Sequence, residues 1–116
     1  MNILLIDDEH TFHDIVNLLA QRLKFNFISK SSGEHLQEVL ESHKINYAFI
    51  DLNLKNESGL KIIELINKLS PETRCFIFSS SNVICTDKNI KFEILDKHKL
   101  VDKIKELCDK NNQSNT

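Results

Sequence analysis

Two glycines, Gly33 and Gly59, and one proline, Pro71, are all that this chain of 116 residues contains. A phosphate-cradling loop and a dinucleotide fingerprint both need clustered glycines, so nucleotide-binding enzymes of the open α/β class are set aside. Cysteine is scarce too: Cys75, Cys85 and Cys108 are odd in number and far apart. They fit neither a zinc spacing nor a disulfide framework, and a reducing cytoplasm is expected. No apolar run is long enough for a transmembrane helix, and no basic stretch precedes the first apolar residues, so neither a membrane span nor a signal peptide is expected. Neither sign of charge dominates. The net charge of -2 gives no electrostatic reason to expect nucleic acid or a membrane surface as partner.

What remains has ordinary globular composition, 41% hydrophobic and 28% charged, and the length of one domain. The apolar pattern alternates between two kinds of segment. Short runs at 3–6 (ILLI), 25–29 (FNFIS), 47–51 (YAFID), 75–79 (CFIFS) and 92–95 (FEIL) predict strands. Between them, Phe12, Ile15, Val16, Leu19 and Leu23 recur at helical spacing, as do Ile62, Ile63 and Ile66. A helix is expected over 31–43, with Ser31 and Glu34 as a capping box and Leu36, Val39 and Leu40 as its stripe. A last one is expected over 100–108, with Leu100, Val101, Ile104, Leu107 and Cys108 inward. Residues 111–116 are a polar tail, which leaves 1–110 as one domain.

Strands that alternate with helices imply a parallel sheet covered on both faces. Right-handed crossovers and five strands suit a doubly wound, flavodoxin-like α/β fold of order 2-1-3-4-5. Ligands of such sheets bind beyond the carboxyl ends of the strands. There the sequence places Asp7 and Asp8 after strand one, Asp51 and Asn53 after strand three, Ser79 after strand four and Lys97 near the end of strand five. Strands one and three are neighbours in this order, so Asp7, Asp8 and Asp51 should lie close together. Carboxylates that close need a counter-charge, and oxygen ligands without clustered cysteine or histidine favour Mg²⁺ over zinc. The set suits phosphoryl transfer, in which a carboxylate can itself be the nucleophile.

Plainer roles exist for each residue. Asp7 and Asp8 could cap the first helix. Ser79 is followed by Ser80 and Ser81, each of which could be a turn hydroxyl, and Lys97 has Lys99 and Lys103 nearby on what could be a solvated face. His10 and His13 are expected to face solvent, and the cysteines to be small core residues.

The ordered set "LLIDDE", "YAFIDLNLKNESGL", "FIFSS" and "ILDK" resembles a bacterial two-component response-regulator receiver domain over residues 2 to about 109. That resemblance implies roles. Asp51 would be the phosphoacceptor and also a Mg²⁺ ligand, Asp8 a direct Mg²⁺ ligand, Asp7 a ligand mainly through water and the Asn53 carbonyl a further ligand. Ser79 would bond a phosphoryl oxygen and Lys97 would pair with the phosphoryl group. The donor would be a histidine-kinase phosphohistidine or phosphotransfer protein, and the chain a switch that catalyses only its own phosphorylation and dephosphorylation.

Three departures from the family pattern stand out. His98 follows Lys97 where proline is usual, and a trans bond is expected because a cis bond before a non-proline costs roughly 3 kcal/mol. Lys55 takes the place of a loop proline, and Ile94 that of an aromatic on strand five. Segment 80–91 is near the minimum for a parallel crossover and holds poor helix formers, so the fourth helix should be short, irregular or missing. An output surface changed from the family's would follow. A pseudo-receiver, which binds a partner without phosphorylation, is the alternative from another class; a small phosphatase lacks the cap domain it would need.

Overall fold

In a computed structural model the described residues are 1–78 and 89–114, with the side chains of 111–114 left out. Ser79 and most of the segment expected to hold an irregular fourth helix lie outside them.

Five parallel strands, β1 (Asn2–Ile6), β2 (Asn26–Lys30), β3 (Tyr47–Asp51), β4 (Arg74–Phe78) and β5 (Glu93–Leu95), form a sheet of order β2-β1-β3-β4-β5. Helices α1 (Thr11–Leu23), α2 (Leu36–Ser42), α3 (Gly59–Leu69) and α4 (Leu100–Ser114) flank it, and a 3-10 turn at Lys97–Lys99 leads into α4. This is the doubly wound order read from the sequence. Successive side chains of a strand point to opposite faces, and the apolar strands obey that rule on both. Ile3, Leu5, Phe49, Phe76 and Phe78 meet Val16 and Leu19 of α1 and Leu100, Ile104 and Leu107 of α4. Leu4, Ile6, Ala48, Ile50 and Ile77 meet Leu36 of α2 and Ile62, Ile63 and Ile66 of α3. Continuous apolar runs are therefore what a sheet buried on both faces requires.

Three helices differ from the sequence reading. The capping box does not form, and α2 begins at Leu36 rather than near Ser31. The Gly33 amide instead donates to the Glu57 carboxylate, from the loop after β3, at 2.6 Å. The Glu34 amide donates to Ser32 Oγ at 3.2 Å, and His35 takes a left-handed φ of 60°. A contact distant in sequence thus takes the Gly33 amide, and the Glu34 amide that a Ser31 cap would have used goes to Ser32. In α1, Ile15 and Leu23 are 37% and 39% exposed, while His13, expected at the surface, is buried with Val16, Leu19 and Ala20. The inward face is turned toward His13 because its ring has a buried polar partner, described below. At the other end of the chain, α4 continues to Ser114, into residues expected as tail.

Candidate functional site

Each residue of the site is placed by the end of a sheet strand. β1 runs out of apolar residues at Ile6, and Asp7 follows, its amide still donating to Lys30 O at 3.0 Å in continuation of the pairing with β2. Asp7 is fully buried. Its carbonyl faces His13 Nε2 at 2.6 Å, and its Oδ1 accepts from the Glu9 amide at 3.0 Å. Its Oδ2 accepts no hydrogen bond of good geometry and meets the Lys97 ammonium at 3.1 Å. Asp51 is the last residue of β3, and its Oδ1 accepts from the Asn53 amide at 3.0 Å. Asp8, half-buried, turns toward the loop after β3, where its Oδ2 accepts from the Lys55 amide at 3.0 Å. Lys55, the residue in place of a loop proline, thus uses an amide that proline lacks.

Behind Asp51 lies Gly59, the first residue of α3. A Cβ there would fall inside the contact radius of the Asp51 carbonyl oxygen and 2.9 Å from Leu52 Cα. Only glycine lets α3 begin this close to the end of β3.

Lys97 reaches back from the turn after β5. Besides Asp7 it lies 3.8 Å from Asp51 Oδ2 and 3.7 Å from Glu9 Oε2, and its Nζ sits over the rings of Phe12 and Phe78 at 5.2 Å from each centroid. The peptide between Lys97 and His98 is trans, as expected. The job of a rigid proline is done differently here: Asp96 Oδ1 accepts from the His98 amide at 3.0 Å and Asp96 O from the Lys99 amide at 2.9 Å, which fixes the turn that carries Lys97.

The electrostatics follow from crowding. Burial pushes the Asp51 carboxyl above its ordinary value; the Asn53 amide and the Lys97 ammonium pull the other way, and Asp7 adds to the upward push. Burial opposes the charge on Lys97, but the Asp7 carboxylate beside it, with Asp51 and Glu9, raises its pKa nonetheless. Carboxylate oxygens of Asp7, Asp8 and Asp51 lie within 4.8 Å of one another. All three are hard oxygen donors, and a buried Asp7 oxygen has no hydrogen bond. The donor set fits a divalent cation of the Mg²⁺ or Ca²⁺ type.

The model of the response regulator receiver domain family matches residues 3–107. The chain belongs to that family. Solved receiver structures share its fold. A response regulator from Burkholderia pseudomallei, with a phosphorylated aspartic acid, a calcium ion and citrate, is 24% identical with a TM-score of 0.76, over 89% of this chain and 63% of that one. Response regulator TrrA from Thermotoga maritima, in complex with Mg²⁺-BeF, is 18% identical with a TM-score of 0.69, over 91% of this chain and 97% of that one. The chemotaxis protein CheY4 of Vibrio cholerae is 11% identical with a TM-score of 0.74, over 90% of this chain and 96% of that one. No curated protein matches the chain. Among the described residues, no helix of this receiver domain is long and apolar enough to cross a membrane.

Of the residues picked out in the sequence, Asp7, Asp8, Asp51 and Lys97 come together, and Asn53 lies on the adjoining loop in a bridge with Ser58. Ser79 lies outside the described residues. Ile94, at the position where the family carries an aromatic, is 66% exposed on β5. Sequence reasoning missed His13, Asp96, Gly59 and the two rings around Lys97. His13 had left a trace: it shares its helical face with Val16 and Ala20, a spacing that marks the buried side.

Proposed function

We propose that this receiver domain is a phosphoacceptor in a two-component phosphorelay, with Asp51 as the nucleophile. One observation carries the reading: the convergence of Asp7, Asp8 and Asp51 within 4.8 Å, with Lys97 against two of them. An Asp51 carboxylate oxygen attacks the phosphorus of a phosphohistidine; the P–N bond breaks, its electron pair stays with the imidazole, and an acyl phosphate forms on Asp51. Asp7 and Asp8, with the Asn53 carbonyl, would hold Mg²⁺. When bound, the cation neutralises charge on the carboxylates and on the transferring phosphoryl group. Asp51 must be ionised to attack; burial and Asp7 raise its pKa, and a bound cation would favour the ionised carboxylate.

Lys97, held near Asp51, would follow the phosphoryl oxygens, and Ser79 would donate to another of them. Water then hydrolyses the acyl phosphate and returns Asp51 with release of inorganic phosphate. The domain is thus a switch that acts only on itself. Its partners are a histidine kinase or phosphotransfer protein and a downstream protein, in the cytoplasm.

Incubation with Mg²⁺ and a small phosphodonor tests the reading. Mass spectrometry should show one added phosphoryl group, stable in acid and labile in base, which is lost in Asp51→Asn. No adduct, together with no affinity for Mg²⁺ or beryllofluoride, would make the domain a pseudo-receiver that binds its partner without phosphorylation. Asp8→Ala should weaken Mg²⁺ binding more than Asp7→Ala; equal effects would undo the assignment of Asp8 as the direct ligand.

A further inference from the structure

Lys97 comes from the turn after β5, Phe78 from the last position of β4 and Phe12 from the first turn of α1. Phe78 stands next to Asp51 in the β3–β4 register and next to Leu95 in the β4–β5 register, so its ring is placed by the same ladder that places the phosphoacceptor. The Lys97 ammonium lies over both rings at 5.2 Å from each centroid, inside the range where the negative face of an aromatic ring attracts a cation. Its side chain is only 22% exposed, and the carboxylates it faces sit at 3.1 Å (Asp7), 3.7 Å (Glu9) and 3.8 Å (Asp51). A hydrogen bond to one carboxylate fixes a direction. A ring face does not, so an ammonium held by rings can pass from one carboxylate to another while keeping that attraction.

We infer that Phe12 and Phe78 are positioning residues that form an aromatic cradle for Lys97, keeping its ammonium within reach of both Asp7 and Asp51. The inference rests on the phosphoacceptor reading and deepens it. In the resting pocket the ammonium leans on Asp7. Once Asp51 carries a phosphoryl group, new negative oxygens draw it across, and the rings then supply attraction that Asp7 supplies in the resting pocket, so they count for more as the ammonium crosses than before. They also shield it from water, which would otherwise compete for its protons. Rings that merely fill the core would act through their shape alone. A cradle acts through their electrons.

Trifluorophenylalanine in place of Phe12 keeps the shape of the ring and weakens its negative face, and Phe12→Leu removes the ring. Two readouts apply to both: the NMR shifts of the Lys97 ε-protons in the resting protein, and the rate of Asp51 phosphorylation by acetyl phosphate at saturating Mg²⁺. In the wild type the ε-protons should be shifted upfield by the rings, and Phe12→Leu should lose part of that shift. The fluorinated protein should keep its thermal midpoint while its phosphorylation rate falls about threefold to tenfold, the loss expected for one weakened cation–π contact. A fluorinated protein that matches the wild type in rate overturns the cradle, even where Phe12→Leu fails to fold. A wild type that takes no phosphoryl group overturns the phosphoacceptor reading instead, and the ε-proton shifts then still decide whether the cradle exists.

Discussion

At the end of the sheet where the strands begin, polar groups find partners. Asn2 donates its amide to Asn46 Oδ1 at 2.8 Å and its Nδ2 to Lys44 O at 2.8 Å, and its Oδ1 accepts from Asn26 at 2.9 Å. Buried Thr73 donates to Ile45 O at 2.7 Å, and Asn67 holds both backbone groups of Lys91, at 2.6 Å and 3.2 Å. At the other end, where the strands finish, Asp7, Asp8 and Asp51 crowd together and a buried Asp7 oxygen lacks a hydrogen bond. Satisfied polar groups specify a fold, whereas like charges held close store a demand for something from outside. The first end keeps the strands in register; the second gathers the charges on which the proposed phosphoacceptor role rests.

That contrast can be broken by substitution, and the largest effect is expected at Gly59. Gly59→Ala should cost about 3 kcal/mol, because the added methyl overlaps backbone and a packed interior cannot give way cheaply. It should also impair phosphorylation, since the displaced atoms belong to Asp51 and Leu52. Chemical denaturation and the phosphodonor assay read the two effects; loss of stability with full phosphorylation would mean that the pocket tolerates movement of α3.

Thr73→Val sharpens the comparison from the satisfied end. Loss of a buried hydroxyl that serves Ile45 O and Ser70 Oγ should cost about 1–3 kcal/mol and leave the phosphorylation rate unchanged. A changed rate would show that the two ends are coupled.

Asp51→Asn should act with the opposite sign. Burial raises the pKa of Asp51, so between the ordinary carboxylate value and that raised value the native state binds a proton that the unfolded chain has released. Stability of the metal-free protein therefore falls as pH rises through that window and stays lower above it. Asparagine removes this cost. At neutral pH without Mg²⁺ its unfolding midpoint should exceed that of the wild type, by less than Thr73→Val lowers it, and the advantage should vanish in acid. A lower midpoint at neutral pH would mean that the pocket is not strained by charge.

Arg74→Ala should matter least. Its 2.6 Å bond to Glu93 joins side chains that are 44% and 49% exposed, and solvent screening holds the loss to about 1 kcal/mol or less in thermal unfolding. A larger loss would place its contacts with the Tyr47 and Phe76 rings above the ion pair.

The strands, their order and the acid pocket were legible because each follows from local pattern plus one rule of topology. Apolar runs of Ile3–Ile6 type mark strands buried on both faces, and residues after such runs meet at one sheet edge. The start of α2 was not legible, because Glu57, remote in sequence, takes the Gly33 amide. The burial of His13 left only its spacing with Val16 and Ala20 as a trace, and its partner was not legible, since that is a backbone carbonyl whose direction no side-chain pattern records. Nor could the aromatic surroundings of Lys97 be read, as Phe12 and Phe78 belong to elements far apart in the chain.

The sequence by itself determined the family, the parallel sheet and which carboxylates would share its edge, because period and strand-end identity are local properties of the chain. Only the tertiary structure decided that Lys97 leans on Asp7, lies over two rings and is carried on a turn fixed by Asp96. It also decided that Gly59 is required by a close approach of backbone. Distances between groups remote in sequence exist only once packing has fixed them, and the chemistry of the pocket depends on those distances.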